Sequence, residues 1–112
     1  MTQKVAIPIV QDSLSSHFGQ CEKFIVYTIE NGKVVNEKTL APPVHTQGSH
    51  PNFLNQIGCH VIITGGMGWK AQQMMQQFGI QSIVGVSPQP PKKIIEAYLA
   101  GRLQAGENLC EH

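Results

Sequence analysis

At 112 residues with 41% hydrophobic side chains, the chain has room for one domain with a substantial core and not for two. Its 8 basic and 7 acidic side chains, a formal net charge of +1, leave no electrostatic footprint for nucleic acid or an anionic membrane surface. The first apolar run is too short for a secretory leader, and none approaches the roughly 20 residues of a membrane span, so a cytoplasmic location is expected.

Residues 4–10, Lys4 and then an unbroken apolar run, end at Gln11, Asp12 and Ser13, which is the pattern of a central strand. A serine-rich turn follows, Ser13-Leu14-Ser15-Ser16-His17-Phe18-Gly19-Gln20-Cys21. Residues 24–29 and 34–40 flank Asn31-Gly32, a pair that supplies the two positive φ angles of a type I′ turn, so these two strands form an antiparallel hairpin. Residues 41–48, with Pro42 and Pro43, read as a surface loop. Ser49 or His50 with Pro51 opens a short helix through Ile57, closed by Gly58. Residues 61–64 form the next strand and break into Gly65-Gly66-Met67-Gly68, with three glycines in four positions. Beyond them Ala71, Met74, Met75 and Phe78 make one helical stripe that stops at Gly79. Residues 80–86 form a fifth strand, and after a proline-rich loop residues 92–100 form a last helix with Ile94, Ile95, Tyr98 and Leu99 buried. Residues 102–112 carry little pattern and read as a flexible or ligand-ordered tail.

The order β-β-β-α-β-α-β-α predicts an α/β fold, a five-stranded mixed sheet with one antiparallel hairpin and covering helices, in a single domain spanning residues 1–112. Right-handed crossovers place the loops after Ile9, Thr64 and Val86 at the carboxyl ends of parallel strands, where open α/β sheets hold ligands.

The strand, glycine turn and helix start at Gly65 to Gly68 would present backbone N–H groups to an anion, or let a helix pack closely on a strand. It is neither a Walker A loop nor a full dinucleotide fingerprint. His17 and Cys21 bring an imidazole and a thiol to the same sheet edge, against readings as a solvated histidine and a small core residue. Cys59 and His60 fall on opposite faces of a strand, Cys59 inward and His60 outward. His45 and His50 read as solvated loop residues that could share a metal if the loop folds back. Cys110 and His112, two apart, could meet one metal or belong to a frayed terminus. The three cysteines, Cys21, Cys59 and Cys110, form no CxxC pair, so free thiols are expected and a metal site must draw on distant segments. Met74 and Met75 read as core filling. An enzyme built on the glycine loop and Asp12, a small hydrolase or phosphometabolite-binding protein, is the competing class; a regulatory or interaction module is a third.

Taken together, Ser16-His17-Phe18-Gly19 with Phe24 after it, Gly65-Gly66-Met67-Gly68, Gly79-Ile80, Ala97-Tyr98-Leu99-x-Gly101-x-Leu103 and the terminal Cys110-x-His112 resemble the dinitrogenase iron-molybdenum cofactor-binding family. The resemblance covers essentially the whole chain. It implies a ribonuclease-H-like fold without nuclease activity and non-catalytic binding of an iron-sulfur or iron-molybdenum cluster, exchanged with transient donor and acceptor proteins. It further implies His17 as the leading ligand, with Ser16, Phe18 and Gly19 around it, the Gly65 to Gly68 amides facing the cluster, and Cys110 and His112 as the family's short Cys/His ending. Cys59 and His60 stand where relatives carry other residues and receive no family role.

Overall fold

The computed structural model describes residues 2–46 and 48–106. Six strands, β1 (Thr2–Val10), β2 (Ser13–Leu14), β3 (Lys23–Glu30), β4 (Lys33–Leu40), β5 (Val61–Ile63) and β6 (Gln81–Ile83), form one mixed sheet in the order β4-β3-β1-β5-β6, with β2 paired to β1. Among the described residues three helices cover it, α1 (Ser49–Gln56), α2 (Trp69–Phe78) and α3 (Pro91–Leu99). The central strand β1 runs antiparallel to β3 and parallel to β5, and β5 runs parallel to β6.

The alternation along β1 divides the core. Val5, Ile7 and Ile9 join Ile25, Tyr27, Ile29, Val61 and Ile63 under Ile94 and Ile95 of α3. Ala6 joins Phe24, Val26 and Ile62 on the other face, under Leu54 of α1 and Met75 of α2. Asn31 and Gly32 adopt φ of 52° and 77°, the positive pair the hairpin requires, and Glu30 pairs with Lys33 across that turn. None of the helices among the described residues is long and apolar enough to cross a membrane.

Two strand predictions need correction. The sheet has six strands rather than five, because Gln11 and Asp12 take φ of 51° and 64° and fold Ser13 and Leu14 back on Val10 and Ile9. A Gln-Asp pair carries no type I′ signature, so the turn was not legible. The last strand spans three residues, not residues 80–86. Ile80 spends its N–H on the Met75 carbonyl at 2.8 Å in closing α2, and Gly85 at φ 76° turns the chain away.

Part of the expected tail is anchored. Leu103 packs on the α3-side core, and the Gly106 N–H donates to the Gly85 carbonyl at 2.8 Å. Residues 107–112, with Cys110 and His112, lie outside the described residues.

Candidate functional site

The short β1–β2 hairpin sends the chain back across the carboxyl ends of β1 and β5. The Ser15 N–H donates to the Pro8 carbonyl at 2.8 Å, and the Ser15 hydroxyl donates to the His17 carbonyl at 2.7 Å while accepting from the His17 N–H at 3.2 Å. That local loop of bonds sets a single helical turn at Phe18–Gln20, with Phe18 buried and His17 exposed. The turn is fastened to the glycine loop, since Gly65 donates its N–H to the Ser15 carbonyl at 3.2 Å and Gly66 accepts from the Phe18 N–H at 2.8 Å.

These bonds redistribute the roles expected of the glycine loop. Gly65, Gly66 and Met67 are buried, and the Met67 side chain lies in the core. Gly68 is exposed and is the N-cap of α2, with no side-chain cap. The first amides of α2, at Trp69, Lys70 and Ala71, have no acceptor within the helix and carry its partial positive charge.

A cavity of about 600 Å³ lies between the two segments, within the range of small-molecule sites. It joins His17, Phe18 and Gly19 from the first turn to Gly68, Trp69 and Lys70 from the second, with Met74 on one wall. Its lining among the described residues includes the Lys70 cation and no carboxylate, so it suits an anion with soft or apolar surface.

The loop before α1 supplies the rest. It does fold back, bringing His45 and His50 to the cavity with ring centroids 5.2 Å apart. His45 is exposed as expected, but His50 is buried, a correction to its reading as a solvated loop residue. The ring of His50 meets Phe18 and Phe24 edge-on at 5.7 and 5.8 Å, and its Nδ1 lies 3.1 Å from the Ser49 hydroxyl. The spacing of His50, Leu54 and Ile57 along one helix face was the available signal. Met74, expected as core filling, is instead half-buried on the cavity wall, and the cavity-lining Trp69, 58% exposed, carries no sequence signal of its own because periodicity speaks only of the core.

Burial, with the neighbouring His45 second, lowers the His50 pKa from its ordinary 6.5. The unfolded chain therefore binds the proton more tightly, and the stability His50 lends is complete above pH 6.5 and is lost as pH falls from there through the depressed folded value. The urea midpoint should drop between pH 7 and 5, and the drop should shrink in His50→Leu. An equal drop in the variant would assign the acid sensitivity elsewhere.

Other candidates stand apart from the cavity. Cys21 leans on the core, where burial pushes its thiol up to about 11. Cys59 is buried as expected, likewise raised to about 11 by burial, and its thiol donates to the Val61 carbonyl at 3.1 Å. His60 is exposed as expected and accepts the Lys4 N–H at its Nδ1, 2.9 Å away, extending the pairing of β1 with β5. Asp12 sits on the exposed hairpin turn with its carboxylate 3.7 Å from the Lys23 ammonium. Among the described residues, no three His, Cys, Asp or Glu side chains are grouped to hold a metal ion by themselves.

Residues 1–101 match the family model described as dinitrogenase iron-molybdenum cofactor. An uncharacterized protein of Methanocaldococcus jannaschii is 33% identical over 109 residues, 93% of this chain and 92% of that protein. The crystal structure of the protein PH0822 is similar at a TM-score of 0.86 and 30% identity, covering 92% of this chain and 94% of that one. The apo form of the orange protein from Desulfovibrio gigas shares the fold at a TM-score of 0.74 and 19% identity, covering 95% of this chain and 94% of that one. With a match over nearly its full length, this chain belongs to the dinitrogenase iron-molybdenum cofactor family.

Proposed function

We propose that the protein binds an iron-sulfur or iron-molybdenum type cluster as cargo, without catalysing a reaction on it, in cofactor assembly or delivery in the cytoplasm. One observation carries this reading. His17 and Gly68 at the open N-terminus of α2, 51 residues apart in the chain, meet at one cavity that has no carboxylate among its described lining residues.

Sulfide-rich clusters are polyanions, so they suit unsatisfied helix amides, the Lys70 ammonium and an exchangeable imidazole bond to iron or molybdenum. In this reading His17 is the ligand, Ser16 and Gly19 shape its turn, Phe18 floors the cavity, and Gly68 opens α2 toward the cargo. Gly65 and Gly66 hold the two segments together through their bonds to Ser15 and Phe18, and Met67 packs in the core behind them. Cys110 and His112 remain further ligands in the proposal; Cys21, turned to the core, does not enter it. Few protein ligands suit a carrier, since release to an acceptor protein must follow binding. We also read the hairpin leading into parallel strands as ribonuclease-H-like. The hydrolase reading is weaker here because Asp12 lies away from the cavity.

Anaerobic reconstitution with iron, sulfide and molybdate tests the proposal by visible absorption and metal analysis. The wild type is expected to take up a coloured cluster, and His17→Ala to retain about tenfold less or lower, the scale on which metal sites weaken when their supporting contacts are lost. Equal uptake by both proteins would remove His17 as ligand. A colourless wild type that binds phosphorylated metabolites would favour the enzyme.

A further inference from the structure

Among the described residues, three imidazoles line the cavity, and they are not equivalent. His50 is buried, its ring edge-on against Phe18 and Phe24 and its Nδ1 beside the Ser49 hydroxyl. His17 and His45 are exposed and come from different segments. The ring of His45 is held from two sides: it rests edge-on against His50 at 62° between planes, and it lies across Gly19, two residues from His17.

The contact with Gly19 is specific in kind. Gly19 does not adopt the positive φ that would call for glycine on backbone grounds. What sets it apart is its neighbour. A Cβ at Gly19 would stand 2.7 Å from Nε2 of His45, closer than real Cβ atoms come, and 3.2 Å from its Cδ2, so a side chain there would push the exposed His45 ring aside. The missing side chain lets the 41–46 loop lay a second imidazole against the turn that carries the first.

We propose that His45 is a second imidazole contact to the cargo, a strap delivered by the loop before α1, with Gly19 and His50 as its positioning residues. The inference rests on the cluster-binding reading above. Two imidazoles approaching from separate segments would hold a metal-sulfide cluster more firmly than one, while the loop carrying His45 leaves a route for release.

The test follows loss of cluster to a chelator from protein reconstituted with iron, sulfide and molybdate, in wild type, His45→Ala, Gly19→Ala and the double variant. His45→Ala is expected to fold normally, since the side chain is exposed, and to lose cluster about tenfold faster. Gly19→Ala should reproduce that loss with His45 still present, because its methyl displaces the ring. The double variant should be no worse than either single change, as expected for two residues acting through one contact. Added imidazole should slow the loss in His45→Ala. Thermal melting of each apo protein reports folding, and His45→Gln supplies a second variant that keeps side-chain bulk and polarity while removing the imidazole. Wild-type retention in both His45 variants would overturn the strap and leave His17 binding intact, as would additive effects in the double variant for the role of Gly19. A wild type that takes up no cluster would overturn both readings.

Discussion

Phe24→Ala is expected to cost about 3–5 kcal/mol of stability, the range for deleting a fully enclosed aromatic ring. Phe24 is 0% exposed, and its ring joins β3 to two other elements. It lies 5.9 Å from Phe18 in the turn bearing His17, 5.8 Å from His50 at the start of α1, and 5.9 Å from Phe53, on which it stacks at 28°. The side chain that anchors β3 therefore also supports the cavity floor. For a domain of about 100 residues, that loss corresponds to a fall in Tm of roughly 15 °C or more. Urea unfolding should show the lower midpoint at unchanged slope, and Phe24→Leu, which refills part of the volume, should recover a good share of it. A cost below about 1 kcal/mol would mean that the ring cluster is loose in solution.

Much of the scaffold was legible because its elements carry simple periods. The run from Val5 to Ile9 is apolar at every position and lies buried between helices on both faces of the sheet. Asn31-Gly32 specified its turn through the φ angles that pair tolerates. The β1–β2 hairpin shows the limit of such reading: Gln11 is not a residue expected at positive φ, and the turn is held by tertiary bonds, including the Gln11 N–H to the Glu22 carboxylate at 2.9 Å. Once that hairpin forms, Ser15 and Phe18 claim the Gly65 N–H and the Gly66 carbonyl. The sequence showed a glycine loop with outward amides. In the structure the first glycines bind the neighbouring turn, and the opening toward a ligand shifts to Gly68 and the residues after it.

The site was half legible for the same reason. His17 and Gly68 could be paired from topology, since both follow parallel neighbours in the sheet, β1 and β5, at their carboxyl ends. The fold-back of the 41–46 loop has no periodic signature, so His45 could be placed only by the structure. The family resemblance placed Gly19 beside His17, and only the structure shows the His45 ring lying across it.

Gly65→Ala should remove about 2–4 kcal/mol and misplace the site together with the fold, combining overpacking with strained hydrogen bonds. A Cβ there would lie 2.9 Å from the Ser16 Cα, 3.2 Å from the Val86 carbonyl oxygen and 3.3 Å from that of Ser15. All three neighbours are backbone atoms, which cannot rotate aside as a flexible side chain would. Relief must come from moving the Ser15–Ser16 turn or the Val86 segment, which would stretch the 3.2 Å bond from the Gly65 N–H to Ser15 and the 3.0 Å bond from the Gly85 N–H to the Gly65 carbonyl. Because the Ser15 turn carries His17, its displacement opens the gap between His17 and the N-terminus of α2. Cluster uptake should fall even at temperatures where the variant remains folded. Gly68→Ala is the control, since a Cβ there meets nothing within 4 Å and its φ is −61°. As an N-cap change it should cost about 1 kcal/mol or less, well below the Gly65 effect. If Gly65→Ala were equally benign in urea unfolding and cluster uptake, the close approach of the two segments would not be what seats His17 at the cavity.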